Sequence, residues 1–152
     1  MLFRLLAEEK IIMNSKTYLV VLVDRIKAEF FTLLDGSVGS HEILKHDEVP
    51  QKVKHGSNTW DAQDKIMRHI EDHLHRHLRH IYQAVRSFTE KNHIDGIIIG
   101  SHKPLFSKIE KHLTYPLNRK IKGRFVTELK GPFNEVLRRA KKTISQVENN
   151  LA

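Results

Sequence analysis

The feature that most constrains the fold is an uninterrupted amphipathic segment over residues 61–91. Its apolar side chains fall within one arc at about 100° per residue, and neither Gly nor Pro interrupts it. Asp61 and Asp64 place negative charge in the first turn, where the helix dipole favours it. The segment is therefore predicted to be a long helix that packs on a sheet through one face. That face comprises Ile66, Ile70, Leu74, Leu78, Ile81, Val85 and Phe88.

Three strands are predicted before this helix. Residues 17–23 are apolar on both faces, as expected of a central strand that is covered on each side. Residues 28–34 and 38–45 follow as two further strands. The pair Asp35-Gly36 between them is a strong hairpin signal.

Two strands and two helices are predicted after the long helix. Residues 95–100 have the continuously apolar pattern of a buried parallel strand, and residues 125–129 are predicted to form a fifth strand. Helices are expected to begin near Pro104 and Pro132. The predicted fold is therefore α/β, a mixed five-stranded sheet with packed helices in the order βββαβαβα.

The chain length and the absence of cysteine limit the possible protein classes. At 152 residues the chain suits one domain, expected at 17–152. Residues 1–16 are expected to be a disordered N-terminal extension. The alternative is that translation starts at Met13, so that residues 1–12 are not part of the native protein. Zero Cys excludes disulfides and Cys-ligated zinc and favours a cytoplasmic location. No apolar run has the length of a membrane span, so no membrane partner is expected.

The charge points to a polyanionic partner. A formal net charge of +8 and a pI near 9.8 favour RNA, the ribosome or an acidic protein. Protonation of all eleven His would raise the charge from +8 to +19, since 8 + 11 = 19. Affinity for anions should therefore increase in mild acid.

Several short strings occur in an order that resembles a known domain. They are Tyr-Leu-Val-Val-Leu-Val-Asp-Arg at 18–25, Ala-Glu-Phe-Phe at 28–31, Leu-Asp-Gly at 34–36, a loop of small residues at 56–59 and Ile-Ile-Ile-Gly-Ser at 97–101. Together they resemble the middle domain of the class-1 release factor and Pelota superfamily, most closely the bacterial and archaeal relatives of the eukaryotic release factor. The resemblance covers roughly residues 17–150. It implies an RNase H-like sheet of the release-factor middle-domain type and a role in translation.

One departure from the release-factor pattern bears on activity. In release factors the loop before the long helix carries Gly-Gly-Gln, which places a water at the peptidyl-tRNA ester. Here the equivalent stretch is His55-Gly56-Ser57-Asn58, without the glutamine. The resemblance therefore implies the fold and the translation context but not peptidyl-tRNA hydrolysis. No catalytic residue and no cofactor are predicted.

Two groups of residues are predicted to bind RNA or another anion. His55, Gly56, Ser57 and Asn58 precede a helix, where backbone N–H groups can contact an anion; an ordinary capped connection is the alternative. The second group is basic and lies on a predicted loop, from which side chains reach phosphates easily. It comprises Arg119, Lys120, Lys122 and Arg124. A further basic cluster on the last helix, at 138–142, is explained equally well as a solvated face.

Two other features could carry a site. His69, His73 and His77 step by four residues, a spacing that can place two imidazoles on one zinc or nickel ion; the alternative is a row of boundary residues. The turn from Gly100 to Lys103 follows a predicted parallel strand, where ligands bind in α/β sheets.

Three functions are compatible with the sequence. The first is a non-catalytic domain that contacts RNA or the ribosome. The second is a small enzyme that uses the 100–103 turn or a metal on the histidine stripe. The third is a protein-interaction module, dimeric through the long helix.

Overall fold

The computed structural model describes residues 15–45 and 60–151. In chain order the elements are β1 (Thr17–Val23), β2 (Lys27–Leu34), β3 (Ser37–Lys45), α1 (Trp60–Lys91), β4 (Gly96–Ser101), α2 (Phe106–His112), β5 (Ile121–Val126) and α3 (Phe133–Leu151). Short 3-10 turns at Lys103–Leu105 and Leu117–Arg119 precede α2 and β5. The predicted order βββαβαβα and the α/β fold class are confirmed.

The strands form one mixed sheet of five strands in the order β3-β2-β1-β4-β5. β1, β2 and β3 are antiparallel neighbours, whereas β1, β4 and β5 are parallel. The β2–β3 turn has positive φ at Asp35 (51°) and Gly36 (80°), the conformation that an Asp-Gly hairpin turn requires. The parallel strands place their carboxyl ends at the same edge of the sheet, referred to below as the carboxyl edge.

Helices cover both faces of the sheet, which explains the continuously apolar β1. Its side chains alternate: Leu19, Val21 and Val23 pack under α1 and α2, while the residues between them pack under α3. β4 is buried along its whole length for the same reason. The apolar face of α3 packs on the opposite side of the sheet from α1. Phe133, Val136, Leu137, Ala140, Ile144 and Val147 all belong to the core under α3.

Only the C-terminal half of α1 packs on the sheet. The buried His77 contacts Asp24, which follows β1, through a 2.9 Å hydrogen bond. Beyond the other end of α1, the carboxylate of Asp95 accepts a 2.8 Å hydrogen bond from the amide of Thr17, the first residue of β1. The residues of α1 before Leu74 therefore extend past the carboxyl edge, by about 20 Å at 1.5 Å per residue.

This geometry corrects part of the predicted helix packing. Leu74, Leu78, Ile81 and Val85 are buried in the core as expected. Ile66 and Ile70, in contrast, are only half-buried and lie outside the core clusters. Met67, on the same arc, is 62% exposed. The apolar arc continues along the helix beyond the point where the sheet ends.

The predicted position of the fifth strand was wrong. The sequence favoured residues 125–129, but β5 is Ile121–Val126, so residues assigned to the basic loop pair with β4. Charged side chains are common on edge strands, where they discourage further pairing. Gly123 also weakens the strand signal, because glycine is depleted in strands. The packing explains why glycine stands there: a Cβ at this position would lie 3.0 Å from methyl groups of Thr143 and Val147 of α3.

In the part of the chain that the structure describes, no helix is both long enough and apolar enough to cross a bilayer.

Candidate nucleic-acid interface

The turn after β4 lies at the carboxyl edge of the sheet. Ser101, the last residue of β4, is fully buried, and its hydroxyl donates a 2.5 Å hydrogen bond to the carbonyl oxygen of Val23. The Ser101 carbonyl accepts a 3.1 Å hydrogen bond from the amide of Thr127. Ser101 therefore ties together the ends of three strands and is not placed to act as a nucleophile.

The next two residues, His102 and Lys103, line separate clefts on either side of this turn. The cleft at His102 has a volume of about 460 Å³. The cleft at Lys103 has a volume of about 530 Å³, and its lining includes Phe106 and Phe125. The first is lined by Asp24, Arg25, Ile26, His102, Pro104, Leu105 and Lys130. The second is lined by Lys103, Phe106, Ser107, Glu110, Arg124, Phe125 and Val126.

Asp24 stabilises the turn between β1 and β2. Its Oδ1 accepts hydrogen bonds from the amides of Ile26 at 2.8 Å and Lys27 at 2.6 Å. Aspartate commonly holds a turn in this way. Asp24 therefore has a structural role in this turn.

The structure separates the three histidines of the predicted metal stripe. His69 and His73 lie on the projecting half of α1, with their Nε2 atoms 3.2 Å apart. His77 is 1% exposed, and its Nε2 donates to the carbonyl oxygen of Asp24. Among residues 15–45 and 60–151, no group of three or more His, Asp or Glu residues could hold a metal ion. His77 is therefore separated from the other two histidines of the stripe, and a metal on His69 and His73 stays a prediction.

Arg119 lies over an exposed aromatic ring. Its guanidinium carbon is 5.1 Å from the centre of the Tyr115 ring, and Tyr115 is 66% exposed. The tyrosine is held through its backbone, since its carbonyl accepts a 3.4 Å hydrogen bond from the hydroxyl of Tyr82 in α1. Lys120 follows directly, half-buried. Arg119 thus lies against an aromatic side chain that was not among the predicted site residues.

The other two basic residues of the predicted group lie on opposite faces of β5. Arg124 contacts α2: its Nη1 is 2.5 Å from Oε1 of Glu110, and its guanidinium lies over the Phe106 ring. Lys122 lies on the α3 face, where a Cβ on Gly96 would meet its Cγ at 2.8 Å. The four predicted residues do not form one continuous patch.

The basic cluster on α3 is largely engaged in contacts within the protein. Arg138 forms an ion pair with Glu135 at 2.5 Å, and Arg139 donates to the Val126 carbonyl at 3.1 Å. Lys141 lines a cavity of about 280 Å³ beside Tyr18. The remaining predicted anion-binding residues, His55, Gly56, Ser57 and Asn58, lie outside the described residues.

Comparison with known proteins then establishes the family. A family model, bacterial archaeo-eukaryotic release factor family 10, matches residues 9–145. The chain belongs to this family. No curated protein matches the chain.

Two solved structures resemble the fold of this family 10 domain. An archaeal translation termination factor, aRF1, has a TM-score of 0.55 and 14% sequence identity, over 88% of this chain and 37% of that one. A structure described as an archaeal protein has a TM-score of 0.51 and 13% identity, over 93% of this chain and 39% of that one. The chain therefore spans less than two fifths of either protein. At these identities the similarity shows the fold alone.

The family match confirms the release-factor resemblance and supports a translation-related role for the family 10 domain. The two solved structures confirm its fold. Tyr115 beside Arg119, and Arg25 and Lys130 in the cleft of His102, were not among the predicted site residues. The only sequence signal for Tyr115 was its position beside Pro116 in a basic loop. Arg25 and Lys130 are far apart in sequence, so only the fold brings them together.

Proposed function

We propose that this domain acts in cytoplasmic translation as a non-catalytic module that contacts RNA, with the ribosome as its expected partner. Family membership supports the translation context. The net charge of +8 supports a polyanionic partner, because neutralisation of phosphates supplies most of the affinity of basic proteins for nucleic acids.

The observation that carries the proposal is the surface formed by Tyr115 and Arg119. An exposed aromatic ring offers a face on which an unpaired base can stack, and the planar guanidinium offers a second such face. Arg119 also supplies a charge for the adjacent phosphate. A base and a phosphate of one nucleotide could thus be held by residues four positions apart.

The test is fluorescence anisotropy with a labelled, single-stranded ribosomal RNA fragment over a range of salt concentrations. Replacing Arg119 with Gln should lower the slope of log K against log salt by about 0.7, the value for one lost phosphate contact on a single strand. Tyr115→Ala should weaken binding roughly 5- to 150-fold, corresponding to about 1–3 kcal/mol of base stacking. Tyr115→Phe retains the ring and should bind almost as well as the unaltered protein.

Arg138→Gln is the matched control, because it removes the same charge from a side chain already paired with Glu135. It should leave the salt slope unchanged. Absence of binding at low salt would overturn the proposal and favour the interaction-module function. The proposal would also be overturned if the Arg119→Gln variant, the Tyr115→Ala variant and the unaltered protein all bound equally well.

Small-molecule binding is a second candidate function, supported by the two clefts beside the 101–105 turn. The cleft of His102 is lined by Arg25 and Lys130, which favours an anionic ligand. Titration with a nucleoside monophosphate, followed by NMR of the backbone amides, should shift the signals of His102 and Lys130. Replacing Arg25 with Gln should abolish those shifts, whereas Lys91→Gln, on the end of α1, should not.

A further inference from the structure

His69 and His73 form a close pair on the half of α1 that extends past the sheet. Their Nε2 atoms are 3.2 Å apart, and their rings are nearly perpendicular, at 86°. The pair is one helical turn apart, so a continuous backbone fixes the separation of the two Cα atoms. His69 is exposed and His73 half-buried, so both nitrogens are within reach of solvent ions.

The separation matches the distance between two imidazole nitrogens that share one metal ion. With Zn–N bonds of about 2.0–2.1 Å, two tetrahedral ligands lie about 3.3 Å apart, and two ligands at right angles about 2.9 Å apart. The observed 3.2 Å falls between these values. A cation could therefore replace the proton between the two rings with little movement of the helix.

We propose that His69 and His73 form a two-histidine site for a borderline divalent cation, Zn²⁺, Ni²⁺ or Cu²⁺. Imidazole favours these ions over Mg²⁺ and Ca²⁺, which prefer oxygen ligands. Two protein ligands leave at least two positions on the ion for water or for a ligand from another molecule. The site is therefore open, unlike a structural zinc site, which has four protein ligands.

A second histidine pair provides an internal comparison. Nδ1 of His75 lies 2.9 Å from Nε2 of His112, whose own Nδ1 donates to the carbonyl oxygen of Lys108 at 2.9 Å. That donation leaves His112 Nε2 as the acceptor, so His75 Nδ1 carries the proton of the bond. This pair is held by a directed chain of hydrogen bonds between α1 and α2, and it depends on the packing of two elements.

The experiment is calorimetric titration of the tag-free protein with each of the three cations, together with Mg²⁺. Binding of one ion per chain is expected for Cu²⁺, Ni²⁺ and Zn²⁺, with Cu²⁺ the tightest, and no binding is expected for Mg²⁺. Either His69→Ala or His73→Ala should weaken binding at least tenfold. Histidine ¹⁵N NMR during the Zn²⁺ titration should show the largest changes at the Nε2 signals of these two residues.

Two control variants each remove one other histidine. His93→Ala alters a residue whose side chain is 85% exposed near the end of α1, and His75→Ala disrupts the second pair. Both should bind as tightly as the unaltered protein. Retained affinity in the His69→Ala or the His73→Ala variant would overturn the proposal. So would loss of affinity in the His75→Ala variant, or absence of binding for all three cations.

Discussion

The Nε2 atom of His77 lies 2.9 Å from the carbonyl oxygen of Asp24, and this contact divides α1 into two parts with different roles. After His77 the helix buries Leu78, Ile81 and Val85 against the sheet. From Gln63 to His73, its side chains are half-buried or exposed. A helix anchored by one half can hold the other half in a fixed direction, because the two halves share one uninterrupted run of backbone hydrogen bonds.

The boundary in α1 predicts unequal effects of the same substitution. Leu74→Asp would bury an unpaired charge at a position that is 5% exposed, and cooperative folding should be abolished. Met67→Asp, at a position 62% exposed, should change the free energy of unfolding by no more than about 0.5 kcal/mol. Thermal unfolding followed by circular dichroism measures both. A cooperative transition in the Leu74→Asp variant would mean that the buried face is wrongly assigned.

The hydrogen bond of His77 should contribute measurably to stability. Replacing His77 with Leu leaves the Asp24 carbonyl without this donor, and the expected cost is about 1–3 kcal/mol. Gln83→Leu is the control, since Gln83 is exposed on the same helix and should shift stability by less than about 0.5 kcal/mol. Urea unfolding gives both values. An unchanged midpoint for the His77→Leu variant would show that the bond adds nothing to stability.

The elements with strong periodicity were predicted well from the sequence. β1 matches the predicted residues 17–23, and α1 begins one residue before the predicted 61. Periodicity could not reveal where the sheet ends beneath α1, because Ile66 and Ile70 continue the arc of Leu74. The position of β5 was mispredicted for a different reason. Its central residues, Lys122-Gly123-Arg124, include no β-branched or aromatic side chain, so their strand propensity is low; they form a strand because they pair with β4.

The site residues were harder to predict, because their positions depend on tertiary contacts. His69 and His73 are one turn apart on one helix, so their proximity follows from spacing alone. The separation of His77 from that pair depends on the Asp24 carbonyl, which the sequence cannot place. Likewise, regular alternation along β5 would place Lys122 and Arg124 on the same face. The register shift in the pairing with β4, between Ile97 and Ile98, separates them, and the sequence does not reveal that shift.

Tyr18 should make stability depend on alkaline pH. Burial, and secondarily the Glu148 carboxylate, which accepts a 3.2 Å hydrogen bond from the hydroxyl, raise the pKa of Tyr18 to about 12 from 10.0. The folded protein therefore holds this proton more tightly than the unfolded chain. Its contribution to stability is complete below pH 10 and is lost as the pH rises through 12.

Tyr18→Phe removes the titrating group, so its free energy of unfolding should fall less steeply above pH 10 than that of the unaltered protein. Urea unfolding at intervals between pH 8 and pH 11.5 provides the comparison. Tyr115→Phe removes an exposed hydroxyl and should retain the original pH dependence. Identical alkaline slopes in the Tyr18→Phe variant and the unaltered protein would assign the loss of stability to other groups.

The last prediction concerns peptidyl-tRNA hydrolysis. The stretch His55-Gly56-Ser57-Asn58 has no glutamine, and the Asn58 side chain is one methylene shorter than that of Gln, so its amide would reach less far toward an ester. We therefore expect no release of formyl-methionine from formyl-methionyl-tRNA on programmed ribosomes, under conditions in which an active release factor gives full turnover. Turnover that disappears in the Asn58→Ala variant but persists in Ser57→Ala would contradict this expectation. It would make Asn58 the functional equivalent of the glutamine, and the domain would then be an enzyme.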